Sequence, residues 1–268
     1  MTTDLVTTDI VTTQIDGHGI ATVTLNNPDK HNAFDDAIIA QLTTAFIAVE
    51  SNPDVRVMIL ASKGKNFSAG ADLHWMKRMA DYSHEENLRD SRALADMLKT
   101  LNFMSKPTIA RVQGAAFGGA VGLVSCVDIA IATERASFSL SEVRIGLIPA
   151  TISPYVIAAI GQRAARRYFT TAERFSAEQA LRLGLVSQVV NNDADLDTGI
   201  DAVANNLLAN SPAAVSAAKE LIFAVANREI DSALIDDTCH RIADIRISPE
   251  GQEGLGAFLE KRTPKWNV

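Results

Sequence analysis

Gly114-Ala115-Ala116-Phe117-Gly118-Gly119-Ala120-Val121-Gly122 decides the fold of this chain, together with the earlier stretch Phe67-Ser68-Ala69-Gly70-Ala71-Asp72-Leu73. An apolar, strand-like run leads into each: Val55 to Ala61 before the Phe67 stretch, and Pro107 to Val112 before the Gly114 stretch. Small residues at both places let the backbone turn sharply and come close to a ligand. Two such turns side by side can aim two free N–H groups at one oxygen, the device by which enzymes stabilise an oxygen that gains negative charge during reaction. The pattern points to an enzyme.

Working outward, Asp9 to Ile15 and Ile20 to Leu25 are rich in β-branched residues and flank Asp16-Gly17-His18-Gly19, which reads as a hairpin. Asp35 is placed to cap a helix reaching Glu50, with Ile38, Ile39, Leu42, Phe46 and Val49 on one face. Val55 to Leu60 reads as a buried strand, Glu85 to Leu101 as a helix and Thr108 to Val112 as a strand. The Gly114 stretch opens a small-residue helix reaching Cys126, and strands are expected over Asp128 to Thr133 and Ser137 to Leu140. Beyond Pro149 the chain turns helical. Ser176-Ala177-Glu178-Gln179 matches a capping box, Gly184 is placed to end that short helix, and Leu185 to Val190 reads as the last strand. From Leu196 only helical periodicity remains, with Ser211-Pro212 and Ser248-Pro249 each reading as a cap followed by proline. The expected organisation is an α/β core over residues 1–195 and a helical region over 196–268. The helical region's apolar faces, with Val215, Leu221, Ile222 and Val225, then Leu234, Ile242 and Ile245, need cover from the chain itself or from a second subunit.

The 268 residues, 47% hydrophobic and 21% charged, suffice for one large domain or for a core with an appendage. A net charge of -7 argues against an extended nucleic-acid surface. Cys126 and Cys239 are too few and too far apart for a disulfide framework and fit a reducing compartment. Met1-Thr2-Thr3-Asp4 shows no secretory pattern and no apolar run reaches the length of a membrane span, so a soluble cytoplasmic protein with no membrane or nucleic-acid partner is expected. Other chemistries lack their residues. Phe117 stands where a dinucleotide fingerprint needs its first glycine, and Gly64-Lys65 is followed by Asn66 rather than Ser or Thr. The five histidines show no paired spacing for a metal, and a Gly-x-Ser-x-Gly elbow is missing.

Taken in order, Leu25-Asn26-Asn27-Pro28-Asp29-Lys30-His31-Asn32-Ala33-Phe34, the two glycine stretches, Ser141-Glu142-Val143-Arg144-Ile145-Gly146-Leu147-Ile148-Pro149, Ser176 to Val186 and Phe258 to Lys261 carry a resemblance. From end to end the chain resembles the enoyl-CoA hydratase/isomerase (crotonase) superfamily, and within it the bacterial 3-methylglutaconyl-CoA hydratases. The resemblance implies a crotonase-like spiral of strand-strand-helix units with a helical C-terminal oligomerisation region that builds homotrimers or homohexamers. It implies an acyl-CoA thioester substrate and no separate cofactor, coenzyme A being part of the substrate. The backbone N–H groups of Ala71 and Gly119 would form the oxyanion hole, with Glu142 as the acid–base group. CoA contacts are implied at Lys30, His31 and Ala33, along Ala69, Asp72, Leu73 and His74, at Gly118, and on the C-terminal helix. There Phe258 would meet the adenine and Lys261, with Lys30, the phosphates.

Glu142 precedes the apolar Ile145 to Pro149, and an apolar setting raises a carboxyl's pKa toward the range where it can both take and give a proton. The competing reading is a surface ion pair with Arg144. Two positions depart from the family pattern. Gly122 stands where the two-glutamate hydratases carry their first carboxylate, which is expected to leave space for a water or a branched acyl group and to leave both proton transfers to Glu142. Ala150-Thr151-Ile152-Ser153-Pro154-Tyr155 is bulkier than the family's glycine-rich turn, with Tyr155 either on the acyl pocket or in the core. A distal carboxylate on the substrate would look to His74, Lys77, Arg78 or Arg144, while Arg163, Arg166 and Arg167 read as an ion-paired helix face. The implied reaction is addition of water across the 2,3 double bond of 3-methylglutaconyl-CoA, giving 3-hydroxy-3-methylglutaryl-CoA in leucine degradation. The alternatives are a Δ3-Δ2-enoyl-CoA isomerase, a hydratase for isohexenylglutaconyl-CoA or general enoyl-CoA, and a non-catalytic paralogue that binds acyl-CoA or RNA.

Overall fold

The computed structural model describes residues 10–267 and the backbone of residues 3–7. The chain opens with β1 (Thr3–Thr7), β2 (Val11–Ile15) and β3 (Ile20–Leu25), an antiparallel meander. Asp9, the expected start of the hairpin, lies outside the described residues. Alternation holds within β2, where Val11, Thr13 and Ile15 point inward and Gln14 outward. Next comes α1 (Asp36–Ser51), capped by the Asp35 carboxylate, which accepts from the Ile38 N–H at 2.8 Å. The five apolar residues expected on one face of this helix are all buried.

The strand β4 (Val57–Ser62) is buried throughout, as a central parallel strand must be. It leads into the Phe67 stretch, then α2 (Leu73–Met79) and α3 (His84–Asn102). Sequence periodicity misses α2, although Asp72 ahead of Leu73-His74-Trp75-Met76 carries the cap signal: its carboxylate accepts from the N–H groups of His74 and Trp75. β5 (Thr108–Val112), β6 (Ala115–Phe117), α4 (Gly119–Cys126), β7 (Ile129–Thr133) and β8 (Ser137–Ser139) follow. Beyond them lie α5 (Ser153–Thr171), β9 (Phe175–Ser176), α6 (Ala177–Leu183) and β10 (Gln188–Val190). Ser176 caps α6 through the Gln179 N–H, and Gly184 ends it with φ 84°.

Seven strands form one sheet in the order β1-β2-β3-β4-β5-β7-β10, parallel from β3 onward; β6, β8 and β9 form a second, small sheet. One face of the large sheet packs on α1, α3 and α4 around Phe46, Met58, Leu60, Leu98 and Leu123. Its other face carries Val57, Ile59, Ile109 and Ile131, covered by Leu196, Ile200 and Ala204 of α7 (Asp193–Leu208). α7, which opens the expected helical region, is thus itself a layer on the sheet.

α8 (Pro212–Val225), α9 (Ser232–Ile247) and α10 (Pro249–Glu260) make up the rest, with Ser211 and Ser248 capping α8 and α10. They leave Ile222, Ile230, Ile247, Phe258 and Leu259 exposed. Lys219 anchors α8 to the core, its ammonium reaching Asp128 Oδ2 at 2.7 Å and the Lys106 carbonyl at 3.1 Å. No helix among the described residues is long and apolar enough to cross a membrane.

Candidate active site

Two single-residue β-bridges hold the Phe67 stretch: Phe34 pairs with Ala71, and Ser68 pairs with Ala116 of the Gly114 stretch. In the first, the Phe34 N–H donates to the Gly70 carbonyl at 2.8 Å and the Asp72 N–H donates to the Phe34 carbonyl at 2.7 Å. In a parallel bridge of this kind the middle residue turns its own N–H away from the partner strand. The Ala71 N–H therefore points away from Phe34, and it has no acceptor among the described residues. In the second bridge, Ser68 accepts from Phe117, and Gly118 then donates to the Ser139 carbonyl at 2.9 Å. Gly118 takes φ 54°, ψ -121°, a conformation open to glycine, and turns the chain into α4. Gly119 is the first residue of that helix, so its N–H is one of the donors a helix leaves unpaired at its positive end.

Ala71 and Gly119 line one cavity of about 210 Å3 together with Glu142. Its walls are largely apolar, with Phe34, Trp75, Leu94, Leu147, Ile148 and Ile152 among them. Glu142 begins a short 3-10 turn after β8 and is half-buried. Its Oε2 is buried with no hydrogen-bond partner, and burial pushes the carboxyl above the ordinary carboxylate value. The competing ion pair is not made, because Arg144 donates instead to the Ala172 carbonyl at 2.8 Å. A second carboxyl, missed in the sequence, is Asp90 on α3. It accepts from Trp75 Nε1 at 3.3 Å, lines the same cavity and is likewise raised by burial. Its signal was faint, since Asp90 sits on a charged helix whose cavity-facing residues only tertiary packing identifies.

The expected CoA-contacting residues of the first half cluster beside this cavity. Lys30 Nζ lies 3.4 Å from Asp72 Oδ2, and the Ala69 N–H donates to the His31 carbonyl at 3.0 Å. Burial works against the Asp72 carboxylate, but the N–H groups of Trp75 and His74 and the Lys30 ammonium outweigh it and hold its pKa below the ordinary value. Leu73 and His74 are exposed at the start of α2, and Ala33 adjoins Phe34. Asn32, buried and left-handed at φ 53°, pins this loop by donating to the carbonyls of Lys63 and Asn66.

Two expectations are corrected, the space at Gly122 and the cations for a distal carboxylate, and Tyr155 takes the core place of the two that the sequence left open. Gly122 leaves no space for water or substrate: it is buried, and a Cβ placed on it would lie 2.4 Å from Ile152 Cγ2. Tyr155 packs against the core rather than lining the cavity. Phe258, 82% exposed, and Lys261 lie at the end of α10, which packs on α8 and α9, and neither lines the cavity. Of the cations considered for a distal carboxylate, Arg78 pairs with Asp36, Arg144 serves Ala172, and none of the four lines the cavity. Among the three clustered arginines, Arg167 pairs with Glu173 at 2.6 Å.

This spiral of sheet and helices, with its loops gathered on one cavity and a helical tail behind it, is the crotonase fold. The chain belongs to the enoyl-CoA hydratase/isomerase family, whose model matches residues 16–268. It is similar to the enoyl-CoA hydratase of Shewanella pealeana, with a TM-score of 0.93 and 49% identity over 96% of each chain. It is 30% identical to the 2,3-dehydroadipyl-CoA hydratase of Escherichia coli, covering 90% of this chain and 92% of that one. To the (E)-benzylidenesuccinyl-CoA hydratase of Thauera aromatica it is 31% identical, covering 95% and 97%. The protein is accordingly an enzyme of the enoyl-CoA hydratase type, and its substrate is an acyl-CoA thioester.

Proposed function

We propose that the chain hydrates a short, 3-branched enoyl-CoA, 3-methylglutaconyl-CoA first among them, with Glu142 as the only acid–base group in the reaction. The observation that carries this reading is the unpartnered, buried Glu142 Oε2 in one cavity with the free N–H groups of Ala71 and Gly119. Ionised Glu142 takes a proton from water as the water oxygen bonds to C3. The electron pair of the double bond moves onto the thioester oxygen, where the two N–H groups meet the developing charge. Glu142, now neutral, gives the same proton to C2. One water is consumed and the carboxylate is regenerated. Removing a single oxyanion donor typically costs about 100- to 1,000-fold in rate.

The 3-methylglutaconyl substrate rests on the sequence resemblance and on two relatives named for enoyl thioesters that carry a second carboxylate. Among the described residues, Asp90 lines this cavity and no Lys, Arg or His does, so such a carboxylate would meet Asp90 rather than a cation. Neutral Asp90 can donate a hydrogen bond to it, whereas ionised Asp90 repels it. The test is product analysis by mass spectrometry with 3-methylglutaconyl-CoA, 3-methylcrotonyl-CoA, crotonyl-CoA and a 3-enoyl-CoA in separate reactions. Addition of one water to the methylglutaconyl ester, faster than to crotonyl-CoA, supports the reading. Hydration of 3-methylcrotonyl-CoA alone removes the distal carboxylate from it.

Hydrocarbon at the place of a second carboxylate favours one further reading, a Δ3-Δ2-enoyl-CoA isomerase. There Glu142 would take a proton from C2 and return it at C4, with no water consumed. For the exposed apolar residues of α8–α10 we propose cover by further copies of the chain, in a trimer or hexamer as the resemblance implies. Phe258 and Lys261 would then reach CoA only across a subunit boundary.

A further inference from the structure

Gly122 lies one helical turn beyond Gly119 on α4, so a side chain at 122 would project on the same face as the free Gly119 N–H. That path is closed. Beyond the 2.4 Å approach to Ile152 Cγ2, a Cβ at 122 would stand 2.9 Å from Ile152 Cβ and 3.5 Å from Leu98 Cδ2. Leu98 is wholly buried and Ile152 is 3% exposed, held just ahead of α5 by the Val156 N–H, which donates to its carbonyl. Ile152 also lines the cavity that holds Ala71, Gly119 and Glu142. Its branched side chain thus touches two things at once, the bare backbone of α4 and the space for the acyl group.

We infer that Ile152 is a specificity-determining residue: seated on Gly122, it forms the wall that limits the acyl group to a short chain and keeps any side chain of α4 out of the cavity. Gly122 and Ile152 act as a matched pair, because the glycine makes room for the isoleucine and the isoleucine takes the place of a second carboxylate. Bulk added at 122 pushes Ile152 toward the substrate; bulk removed at 152 deepens the cavity. This assignment rests on the cavity being the acyl site of the proposed hydratase.

The test compares the chain with its Ile152→Ala, Ile152→Val, Gly122→Ala and Gly122→Ala/Ile152→Val variants. Hydration of crotonyl-, hexenoyl- and octenoyl-CoA is measured for each, with calorimetric affinities for butyryl- and octanoyl-CoA. A methylene in an apolar pocket is worth about 10- to 200-fold in discrimination. Ile152→Ala is therefore expected to raise the octenoyl-to-crotonyl ratio of kcat/KM at least tenfold. Ile152→Val, which removes one methyl group and spares the core, should shift the ratio by a smaller factor in the same direction. Gly122→Ala is expected to lower kcat/KM about tenfold on every ester, and the double variant to regain most of the loss. An unchanged ratio in both Ile152 variants, or a Gly122→Ala loss that the second substitution does not relieve, overturns the inference. The saturated esters separate it from the functional reading. If hydration is absent but the octanoyl-to-butyryl affinity ratio still rises, the wall stands and the hydratase reading falls.

Discussion

The carboxyl of Glu142 stands against the backbone of Gly118, where a Cβ would come within 3.3 Å of Oε1. Gly118 is also the residue whose positive φ turns β6 into α4 and sets the free N–H of Gly119 at the cavity. One glycine thus serves two needs, the turn that bares an N–H donor and the gap that admits the carboxyl beside it. Gly118→Ala should fail on both. A side chain in that backbone conformation costs on the order of 1–3 kcal/mol, and the displaced carboxyl should lower kcat more than it raises KM. Thermal melts and steady-state kinetics on one preparation check both effects.

Glu142→Gln should lower turnover by about 100- to 10,000-fold, the range for loss of a general acid–base group. Affinity for acetoacetyl-CoA, which reports thioester binding without the reaction, should change little. Near-normal turnover would remove Glu142 from its role.

The same substitution should make the protein more stable. Burial raises the Glu142 pKa, so ionisation costs the folded state more than the unfolded one. That penalty is absent below the unfolded value, grows as pH rises through the window up to the folded value, and is constant above it. At neutral pH the glutamine variant should melt higher, by about 2–4 °C for each kcal/mol relieved. Melting curves at pH 4 and pH 7.5 should converge at the lower pH.

The pH dependence of the wild-type reaction follows from the same carboxyl. The base must be ionised to take a proton from water, so kcat/KM should fall on the acid side, with a limb above the ordinary glutamate value of 4.5. A limb at or below that value would mean that some other group limits the reaction.

Asp90→Asn removes the negative charge from the cavity while keeping a group that can hold Trp75 Nε1. KM for 3-methylglutaconyl-CoA should fall several-fold at pH 8, while KM for 3-methylcrotonyl-CoA, which lacks the second carboxylate, should stay within twofold, as about 1 kcal/mol of relieved repulsion predicts. In the wild type, KM for the charged ester should rise with pH as Asp90 ionises, a step that Asp36 disfavours and Arg78 favours. Parallel changes for both esters would show that Asp90 does not face the distal end.

Much of this protein was written locally. Asp35, Ser176, Ser211 and Ser248 cap the helices expected of them, and β2, β3, β4, β5, β7 and β8 fall where β-branched and apolar runs place them, while the short β6 inside the Gly114 stretch was not expected. Short-range periodicity and capping chemistry decide such elements, and both are readable residue by residue. The helix α2 was hidden because its seven residues are too few to show a period and all but buried Trp75 and partly buried Met76 and Met79 face solvent. The glycine stretches were legible as turns that bare backbone N–H groups, and the family resemblance joined Glu142 to them as one set. Tertiary structure alone brought Ala71 and Gly119 to one cavity, through the bridges from Phe34 to Ala71 and from Ser68 to Ala116. It alone seated Ile152 on Gly122, turned Asp90 inward and drew Arg144 away to Ala172. A missing side chain in a sequence looks like open space, but close packing fills such space from whatever segment lies opposite. Here that segment lies thirty residues further along the chain, where no local pattern can announce it.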